Sequence, residues 1–436
     1  MGTGKYAIAF SAQAKPDGSI YNSETAPKPI SQGRLYNSLF VRHWDVYLTP
    51  NRNAVWYGSL SRSGSSNTTS YALSGLTNAL KGTGLESPVP PFGGTGDFDI
   101  SSSGLVFVAK DPKLNAAVYT KSDAYYVPVT NFANSTAPKP QIINVPGFTG
   151  YTASVAFSHD GKQLAFLRMK TNGYESDKNQ PFLIPDIKQL TKITPLLATA
   201  DGKGRWDRSP DSIAWSLDDK TFIFVASDVG RESVFTLPSD PSKSQSIVPS
   251  SILRDGAVSD ARPLKNGEIF VSGTSFVDNS RWIILSPGPT ASGARLVSSN
   301  TRDGALVGLS RSQVSEIWYD GAEVPIQAWV IKPSNFEKGK KYPLAFIIHG
   351  GPQGNWADAW STRWNLAIFA EQGYVVVAPN PTGSTGFGKK LTDDIQEQWG
   401  GLPYQDLVKG FEYVKEKLDY VDTDKAVALG ASYGGE

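Results

Sequence analysis

The chain has 436 residues, of which 39% are hydrophobic and 19% charged, a composition typical of a globular protein with two or three domains. Lysine and arginine total 42 against 41 aspartate and glutamate residues, so the net charge gives no reason to expect nucleic acid or an anionic membrane as a partner. The absence of cysteine excludes disulfides, thiolate zinc sites and a cysteine nucleophile, and three histidines are too few for a His-rich metal site.

Signals for targeting are sparse in this sequence. No apolar run approaches the roughly 20 residues that a transmembrane helix needs. The start of the chain lacks a basic segment followed by a long apolar stretch, so no signal peptide is predicted there. Sequons for N-glycosylation occur at Asn67 and Asn134, although such triplets are common by chance.

From the start to about residue 310, short apolar runs alternate with clusters of Gly, Pro, Ser, Asn and Asp, which predicts many short strands joined by turns. One pattern of strand, tight Ser/Asp/Gly turn and second strand recurs at 98–109, 155–167 and 213–225, with a weaker copy at 258–271. The spacing of roughly 45–60 residues suits one four-stranded β-propeller blade per repeat. A β-sandwich with similar hairpins is the alternative.

After about residue 310, predicted strands alternate with predicted helices. Strands are expected at 328–331, 344–348, 374–378 and 426–429, and helices at 364–372 and 404–418. The last three strands are continuous apolar runs, as expected for strands that are buried on both faces. The alternation predicts a parallel sheet that is covered by helices on both sides.

The last predicted strand runs directly into Gly-Ala-Ser-Tyr-Gly at residues 430–434. A strand that turns sharply into a helix exposes the central serine, and the two glycines permit the close backbone approach that this turn requires. We therefore predict Ser432 as a nucleophile. The N–H of Tyr433, at the start of the following helix, is the predicted first oxyanion donor.

A second motif, His-Gly-Gly-Pro at 349–352, directly follows the strand predicted at 344–348. In hydrolases with a serine elbow, the loop after this strand supplies another oxyanion donor, and we assign that role to the N–H of Gly351. His349 precedes the nucleophile, whereas the hydrolase order is Ser, Asp, His. We therefore interpret His349 as a residue that shapes the loop rather than as an acid or base.

The segment from residue 342 to 435 resembles the catalytic domain of the prolyl oligopeptidase family. The matching motifs are those at 349–352, 378–388, 399–401, 406–407 and 430–435. Motifs at 42–45, 91–94, 206–209 and 361–365 extend the resemblance to fungal secreted dipeptidyl peptidases of this family. The resemblance implies a β-propeller at 1–310, with about five of seven blades, and an α/β-hydrolase domain at 311–436. It also implies a secreted enzyme that releases dipeptides from the N-termini of peptides.

The family places its catalytic Asp and His in a long stretch after the nucleophile, whereas this sequence ends at Glu436. The resemblance therefore implies a chain that lacks parts at both ends. A serine without its base is a weak nucleophile, so the 436 residues by themselves are expected to be inactive. The strand at 426–429 is expected to form an exposed apolar sheet edge.

A peptidase that removes two residues must hold the free α-amino group of its substrate, which requires one or two carboxylates. The candidates are Glu175, Asp177 and Asp207, and the alternative for each is a solvated or turn-capping carboxylate. The cluster at 42–45 is interpreted as the closure of a blade edge, with lining of the cavity as the alternative, and Asp406 as a helix cap rather than the triad acid.

The expected partner is a peptide with a free N-terminus, and serine acyl transfer implies no metal or organic cofactor. Two other functions fit the sequence. One is an acylaminoacyl peptidase or an oligopeptidase on the same scaffold. The other is a non-catalytic propeller used for binding, with a remnant of the hydrolase domain.

Overall fold

The computed structural model describes residues 5–37, 39–64, 69–286 and 293–436, and its regular secondary structure is mostly β-strand. The chain divides into two compact units, Met1–Arg205 with Asp240–Gln245, and Trp206–Ser239 with Ser246–Glu436. The domain boundary predicted at residue 310 falls inside the second unit. The division into a propeller domain and a hydrolase domain at that residue stays a prediction. The sequon at Asn67 lies outside the described residues. Within the described ranges, no helix is both long and apolar enough to cross a membrane.

The first unit consists of antiparallel sheets. Its strands are β1 (Lys5–Ala14), β2 (Arg42–His43), β3 (Val46–Tyr47), β4 (Arg52–Ser63), β5 (Ser70–Leu73), β6 (Thr77–Asn78), β7 (Phe98–Ser101), β8 (Gly104–Lys110), β9 (Ser122–Val127), β10 (Gln141–Ile143), β11 (Thr152–Phe157), β12 (Leu164–Arg168), β13 (Gln180–Ile184) and β14 (Thr194–Pro195). A short helix, α1 (Pro241–Ser244), completes the unit. In the first sheet β4 lies between β1 on one side and β5 and β6 on the other, whereas β7–β10 and β11–β14 each pair in sequential order.

Two of the predicted repeats form the hairpins β7–β8 and β11–β12. In the second hairpin, Asp160 accepts hydrogen bonds from the Ser158 hydroxyl at 2.8 Å and from the Lys162 N–H at 2.9 Å. Gly161 has a φ of +69°, which a residue without Cβ adopts at no steric cost. The Ser-x-Asp-Gly pattern therefore specifies the turn, and apolar residues on either side of it fill the core.

The second unit begins with two further meanders. Their strands are β15 (Pro210–Trp215), β16 (Thr221–Ser227), β17 (Glu232–Pro238), β18 (Ser250–Leu253), β19 (Ala257–Pro263), β20 (Ile269–Ser275), β21 (Asp278–Leu285) and β22 (Ala294–Ser299). A short parallel pairing of β17 with β19 joins the two meanders into one sheet. The third predicted repeat forms β15–β16 and the weaker copy forms β19–β20. Successive four-stranded sheets are what one propeller blade per repeat predicts, and the total number of blades stays a prediction.

The rest of the second unit is a mixed sheet with helices. Its strands are β23 (Val314–Asp320), β24 (Pro325–Ile331), β25 (Tyr342–Ile348), β26 (Val375–Asn380) and β27 (Val421–Gly430), and its helices are α2 (Leu366–Glu371), α3 (Lys389–Asp393) and α4 (Leu402–Lys417). The strand order is β23-β24-β26-β25-β27, with β25, β26 and β27 mutually parallel. Ala345 and Ile347 pack in one apolar cluster with α2, whereas Leu344 and Phe346 pack in another with α4, which confirms helices on both faces.

β27 forms one edge of this sheet and pairs only with β25 among the described strands. Residues 424–428 are exposed, and Val427 retains 39% of its accessible surface. Burial on both faces, predicted for the run at 426–429, therefore holds for β25 and β26 but is wrong for β27. The expected exposed edge is observed, because β27 has one neighbouring strand.

Candidate active site

Ser432 follows β27 at the first position of a 3-10 turn, Ser432–Gly435. Its φ of +56° lies in the left-handed region, which is costly for a residue with a side chain and marks a position where the backbone is constrained. The residue is exposed to solvent. The strand-to-turn geometry therefore presents the Ser432 hydroxyl at the carboxyl edge of the parallel sheet, as predicted for an elbow.

The two glycines that flank this turn are needed sterically. A Cβ on Gly430 would overlap the carbonyl oxygen of Gly434, and a Cβ on Gly434 would overlap the carbonyl oxygen of Ile348. Gly435 differs from them, because a Cβ there would lie 3.5 Å from the Gly430 oxygen, an ordinary contact. A side chain therefore fits at Gly435 but not at Gly430 or Gly434.

The His-Gly-Gly-Pro segment lies against the nucleophile. β25 and β27 are neighbours with Ile348 opposite Gly430, so both motifs leave the sheet side by side. A Cβ built on Gly350 would lie 3.2 Å from Ser432 Cβ and 3.7 Å from Ser432 Oγ. The N–H of Gly351, the predicted second oxyanion donor, has no hydrogen-bond partner within the described residues. The assignment stays a prediction that this geometry permits.

The His349 side chain is buried and uses both ring nitrogens. Nδ1 donates to the Gly350 oxygen at 2.7 Å, since a carbonyl can only accept, and Nε2 then accepts from the Ser384 hydroxyl at 3.0 Å. Burial lowers the pKa of His349, which favours this neutral form. These contacts fit the predicted role of a residue that shapes the loop.

Asp406 secures the segment that carries Ser384. It is fully buried on α4 and accepts from the Thr382 N–H at 2.8 Å, the Thr382 hydroxyl at 2.6 Å and the Ala322 N–H at 2.6 Å. The prediction that Asp406 caps its own helix is wrong, because its partners lie on two other loops. Asp406 instead fixes the chain after β26, from which Ser384 contacts His349.

Tyr433, the predicted first oxyanion donor, is held by Trp399. The Tyr433 hydroxyl donates to the Trp399 carbonyl oxygen at 2.6 Å, and the two rings lie perpendicular with centroids 5.7 Å apart. Burial raises the pKa of the Tyr433 phenol. Tyr433 is the second residue of its turn, where a backbone N–H has no partner within the helix. The motif at 399–401 thus positions the Tyr433 side chain through Trp399, a role that the sequence did not reveal.

The three candidates for binding the substrate amine have different surroundings. Asp177, in the first unit, accepts from the Thr171 N–H at 2.7 Å. Asp207, in the second unit, accepts from the Lys389 N–H at 2.9 Å, at the start of α3. These are the contacts of the turn-capping alternative. Glu175, in the first unit, is exposed. All three assignments stay predictions.

The cluster at 42–45 forms part of a separate two-stranded ribbon, β2–β3, and not a blade edge. Trp44 lies in its turn, is 63% exposed and contacts Phe92 with ring centroids 5.3 Å apart. Its interpretation as a blade closure is therefore wrong, because the hydrogen bonds of β2 and β3 join these strands to each other.

Sequence reasoning missed two carboxylates in the second unit. Glu232 begins β17, and burial together with the neighbouring charge of Asp211 raises its pKa to about 7. Neither residue lies in a recognisable motif, so their proximity could be found only in the folded chain.

Residues 360–436 match the family model described as the prolyl oligopeptidase family. The chain is 42% identical over 430 residues to dipeptidyl-peptidase 5 of Trichophyton schoenleinii and 44% identical over 436 residues to probable dipeptidyl-peptidase 5 of Aspergillus clavatus. The chain carries a prolyl oligopeptidase family domain. Each alignment spans 97% of this chain but only 57% and 58% of the two relatives. The predicted family is thereby confirmed.

Solved structures of related fold include an acylaminoacyl peptidase in complex with Z-Gly-Gly-Phe-chloromethyl ketone, with a TM-score of 0.67 and 12% identity. That match covers 98% of this chain and 58% of the other. Porphyromonas gingivalis dipeptidyl peptidase 4 gives a TM-score of 0.51 at 15% identity, over 88% of this chain and 49% of the other. The chain therefore shares its fold with these peptidases.

Proposed function

We propose that this protein is a serine exopeptidase that releases dipeptides from the N-termini of peptides, with Ser432 as the nucleophile. The observation that carries the proposal is the placement of Ser432 at φ +56° with Gly350 packed against its side chain. The identity of 42–44% to enzymes named dipeptidyl-peptidase 5 supports the substrate class. We also propose that the protein is secreted, as the resemblance implies.

In this mechanism Ser432 Oγ attacks the scissile carbonyl, the peptide amine leaves, and water then releases the dipeptide from the acyl-enzyme. The developing oxyanion accepts hydrogen bonds from the N–H groups of Tyr433 and Gly351. Loss of one such donor in other enzymes costs on the order of 10² to 10³ in kcat.

Ser432 requires a base that removes its proton and an acid that orients that base. His349 does not supply the base, because both of its ring nitrogens are already bonded. We place the base and its carboxylate outside these 436 residues, since the curated relatives are longer than this chain. For the substrate amine we rank Glu175 before Asp177 and Asp207, because the latter two already accept backbone N–H groups.

A fluorophosphonate probe tests the nucleophile. In the complete enzyme Ser432 should be labelled, Ser432→Ala should abolish labelling, and Ser259→Ala, an exposed serine on β19, should leave it unchanged. Labelling that survives Ser432→Ala would contradict the proposal. The 436 residues alone should release dipeptides at no more than background, and measurable release would refute our placement of the base.

Blocking the N-terminus of the substrate distinguishes a dipeptidyl peptidase from the alternative functions. Acetylation of the substrate N-terminus should abolish cleavage by a dipeptidyl peptidase, because the free amine is part of the recognised group. An acylaminoacyl peptidase or an oligopeptidase would cleave the blocked peptide. A non-catalytic binding protein would bind peptides without labelling or turnover.

A further inference from the structure

The loop that follows β25 ends in a buried ion pair. We call residues 349–360 the His-Gly-Gly-Pro loop. Near its end lies Asp358, whose side chain is only 1% exposed. One carboxylate oxygen accepts from the Phe276 N–H at 2.9 Å, and the other accepts from Arg311 Nη1 at 2.6 Å. The Asp358 carboxylate is therefore held at both oxygens by groups that lie outside the loop.

Arg311 connects Asp358 to a second carboxylate in the same unit. Its Nη2 pairs with one oxygen of Asp255 at 2.9 Å, and Arg281 on β21 pairs with the other at 2.7 Å. The four side chains thus form a chain of alternating charge. A guanidinium suits this place, because its N–H groups lie in one plane and can bind two carboxylates in fixed directions.

Two backbone contacts hold the same end of the loop. The Asp358 N–H donates to the Gly230 oxygen at 2.9 Å, and the Trp360 N–H donates to the Thr274 hydroxyl at 3.1 Å. Gly230 lies between β16 and β17, and Thr274 lies on β20. The end of the loop is therefore fixed to the sheet that contains β15–β22.

Trp356 relates this fixed end to the start of the loop. Its backbone N–H donates to Asn380 Oδ1 at 2.6 Å, and its ring N–H donates to the Ile347 oxygen at 3.0 Å. Its ring also lies perpendicular to that of His349, with centroids 6.2 Å apart. Trp356 is two residues from Asp358, so a displacement of Asp358 would disturb the contacts that hold His349 in place.

We infer that Asp358 is a positioning residue, whose ion pair with Arg311 fixes the His-Gly-Gly-Pro loop against Ser432. Gly350 packs against Ser432, and the next N–H, that of Gly351, is the proposed oxyanion donor. The catalytic consequence of this inference therefore rests on the proposed function. The order of the loop does not depend on activity and can be measured separately.

Turnover by Arg311→Met in the complete enzyme tests the catalytic consequence. The variant leaves Asp358 buried without its cation, so the carboxylate should turn towards water and displace the loop. We expect kcat on a chromogenic dipeptide substrate to fall about 10²-fold, as on loss of one oxyanion donor, with less than about a threefold change in KM. Arg262→Met, which removes an exposed ion pair of 2.7 Å from β19, should leave both constants unchanged.

Two further variants distinguish positioning from a general loss of stability. Adding Asp358→Asn to Arg311→Met removes the unpaired buried charge, so kcat should recover about tenfold relative to the single variant. Arg311→Lys keeps the cation but cannot bind Asp358 and Asp255 in the same fixed geometry. Its kcat should therefore lie between those of the wild type and Arg311→Met.

Hydrogen–deuterium exchange measures the order of the loop without reference to turnover. In Arg311→Met the backbone amides of residues 350–360 should exchange about tenfold faster than in the wild type, because the loop has lost its anchor. The amides of the buried strand β26 should remain as protected as in the wild type. Arg262→Met should match the wild type in both segments.

Wild-type kcat and wild-type exchange of the loop in Arg311→Met would overturn the inference. Faster exchange throughout the second unit, with no recovery in the double variant, would also overturn it, since it would indicate a general loss of stability. If Arg311→Met does not fold, Asp358→Asn tests the same pair from the other side, and its kcat should fall about tenfold; unchanged kcat and loop exchange there would refute the pairing. Absence of turnover in the wild type, with the expected exchange pattern, would contradict the proposed function but support the inference.

Discussion

Replacement of Arg168 by methionine should strongly destabilise the first unit. Arg168 on β12 and Asp123 on β9 form an ion pair at 2.9 Å, and each side chain is only 1% exposed. Arg168 also donates to the Phe148 oxygen at 2.9 Å and to the Ser122 oxygen. Removing the cation leaves Asp123 buried without its principal partner, and breaking such a pair typically costs about 3–5 kcal/mol.

Lys121 places the expected loss near the lower end of that range. Its ammonium lies 3.6 Å from Asp123 and remains in the variant, so the carboxylate keeps part of its compensation. The expected loss is therefore about 3 kcal/mol in the free energy of unfolding. It can be measured by urea unfolding followed by circular dichroism, with Arg262→Met on the exposed face of β19 as a control.

A double variant checks the physical reason. In Asp123→Asn with Arg168→Met no buried charge is left, so this protein should recover much of the stability that the single variant loses. A loss below about 1 kcal/mol in Arg168→Met would refute the reasoning, because surface ion pairs typically contribute no more than that.

Three further predictions concern the elbow, pH and glycosylation. Gly430→Ala should abolish fluorophosphonate labelling of Ser432 in the complete enzyme, because the new Cβ would overlap the backbone of Gly434. Gly435→Ala should retain most of the labelling, since a Cβ fits at that position. Equal labelling of the two variants would contradict the steric argument. The pKa of Glu232 is raised from 4.5 to about 7, so its stabilising protonated form is lost as pH rises through 7. Unfolding free energy in urea should fall by about 2 kcal/mol from pH 5 to pH 8, after allowance for solvent screening, and by less in Glu232→Gln. Asn134 is exposed, so Asn134→Gln in secreted protein should remove one endoglycosidase-sensitive mobility shift.

Local signals in the sequence predicted much of this fold. The Asp160-Gly161 turn is specified by neighbouring residues, because its hydrogen bonds join positions two to five apart. The apolar runs of β25 and β26 predicted buried strands for the same reason, since alternating residues on each strand pack under α2 and α4. The elbow at Ser432 was predicted from Gly430 and Gly434, two positions where any larger residue would overlap the backbone.

Contacts between distant positions could not be predicted in this way. Asp406 accepts a hydrogen bond from Ala322, 84 residues earlier, and nothing near either position indicates that pairing. The antiparallel pairing of β24 with β26 was likewise missed, because an apolar run predicts burial but not the direction of its neighbour. The Val229 N–H donates to the Gly386 oxygen only because a turn of one sheet lies against a loop of another.

The adjacency of β25 and β27 has a consequence for the timing of active-site assembly. These strands are separated in the chain by β26 and three helices, and β27 supplies Ser432 while β25 supplies the loop that faces it. During synthesis the ribosome releases β25 before β27, so the nucleophile meets the His-Gly-Gly-Pro loop only after the intervening segments have been made. A nascent chain therefore carries that loop without the serine until β26, the three helices and β27 have been made. Such an order delays the appearance of a reactive hydroxyl until the sheet that aligns it has formed.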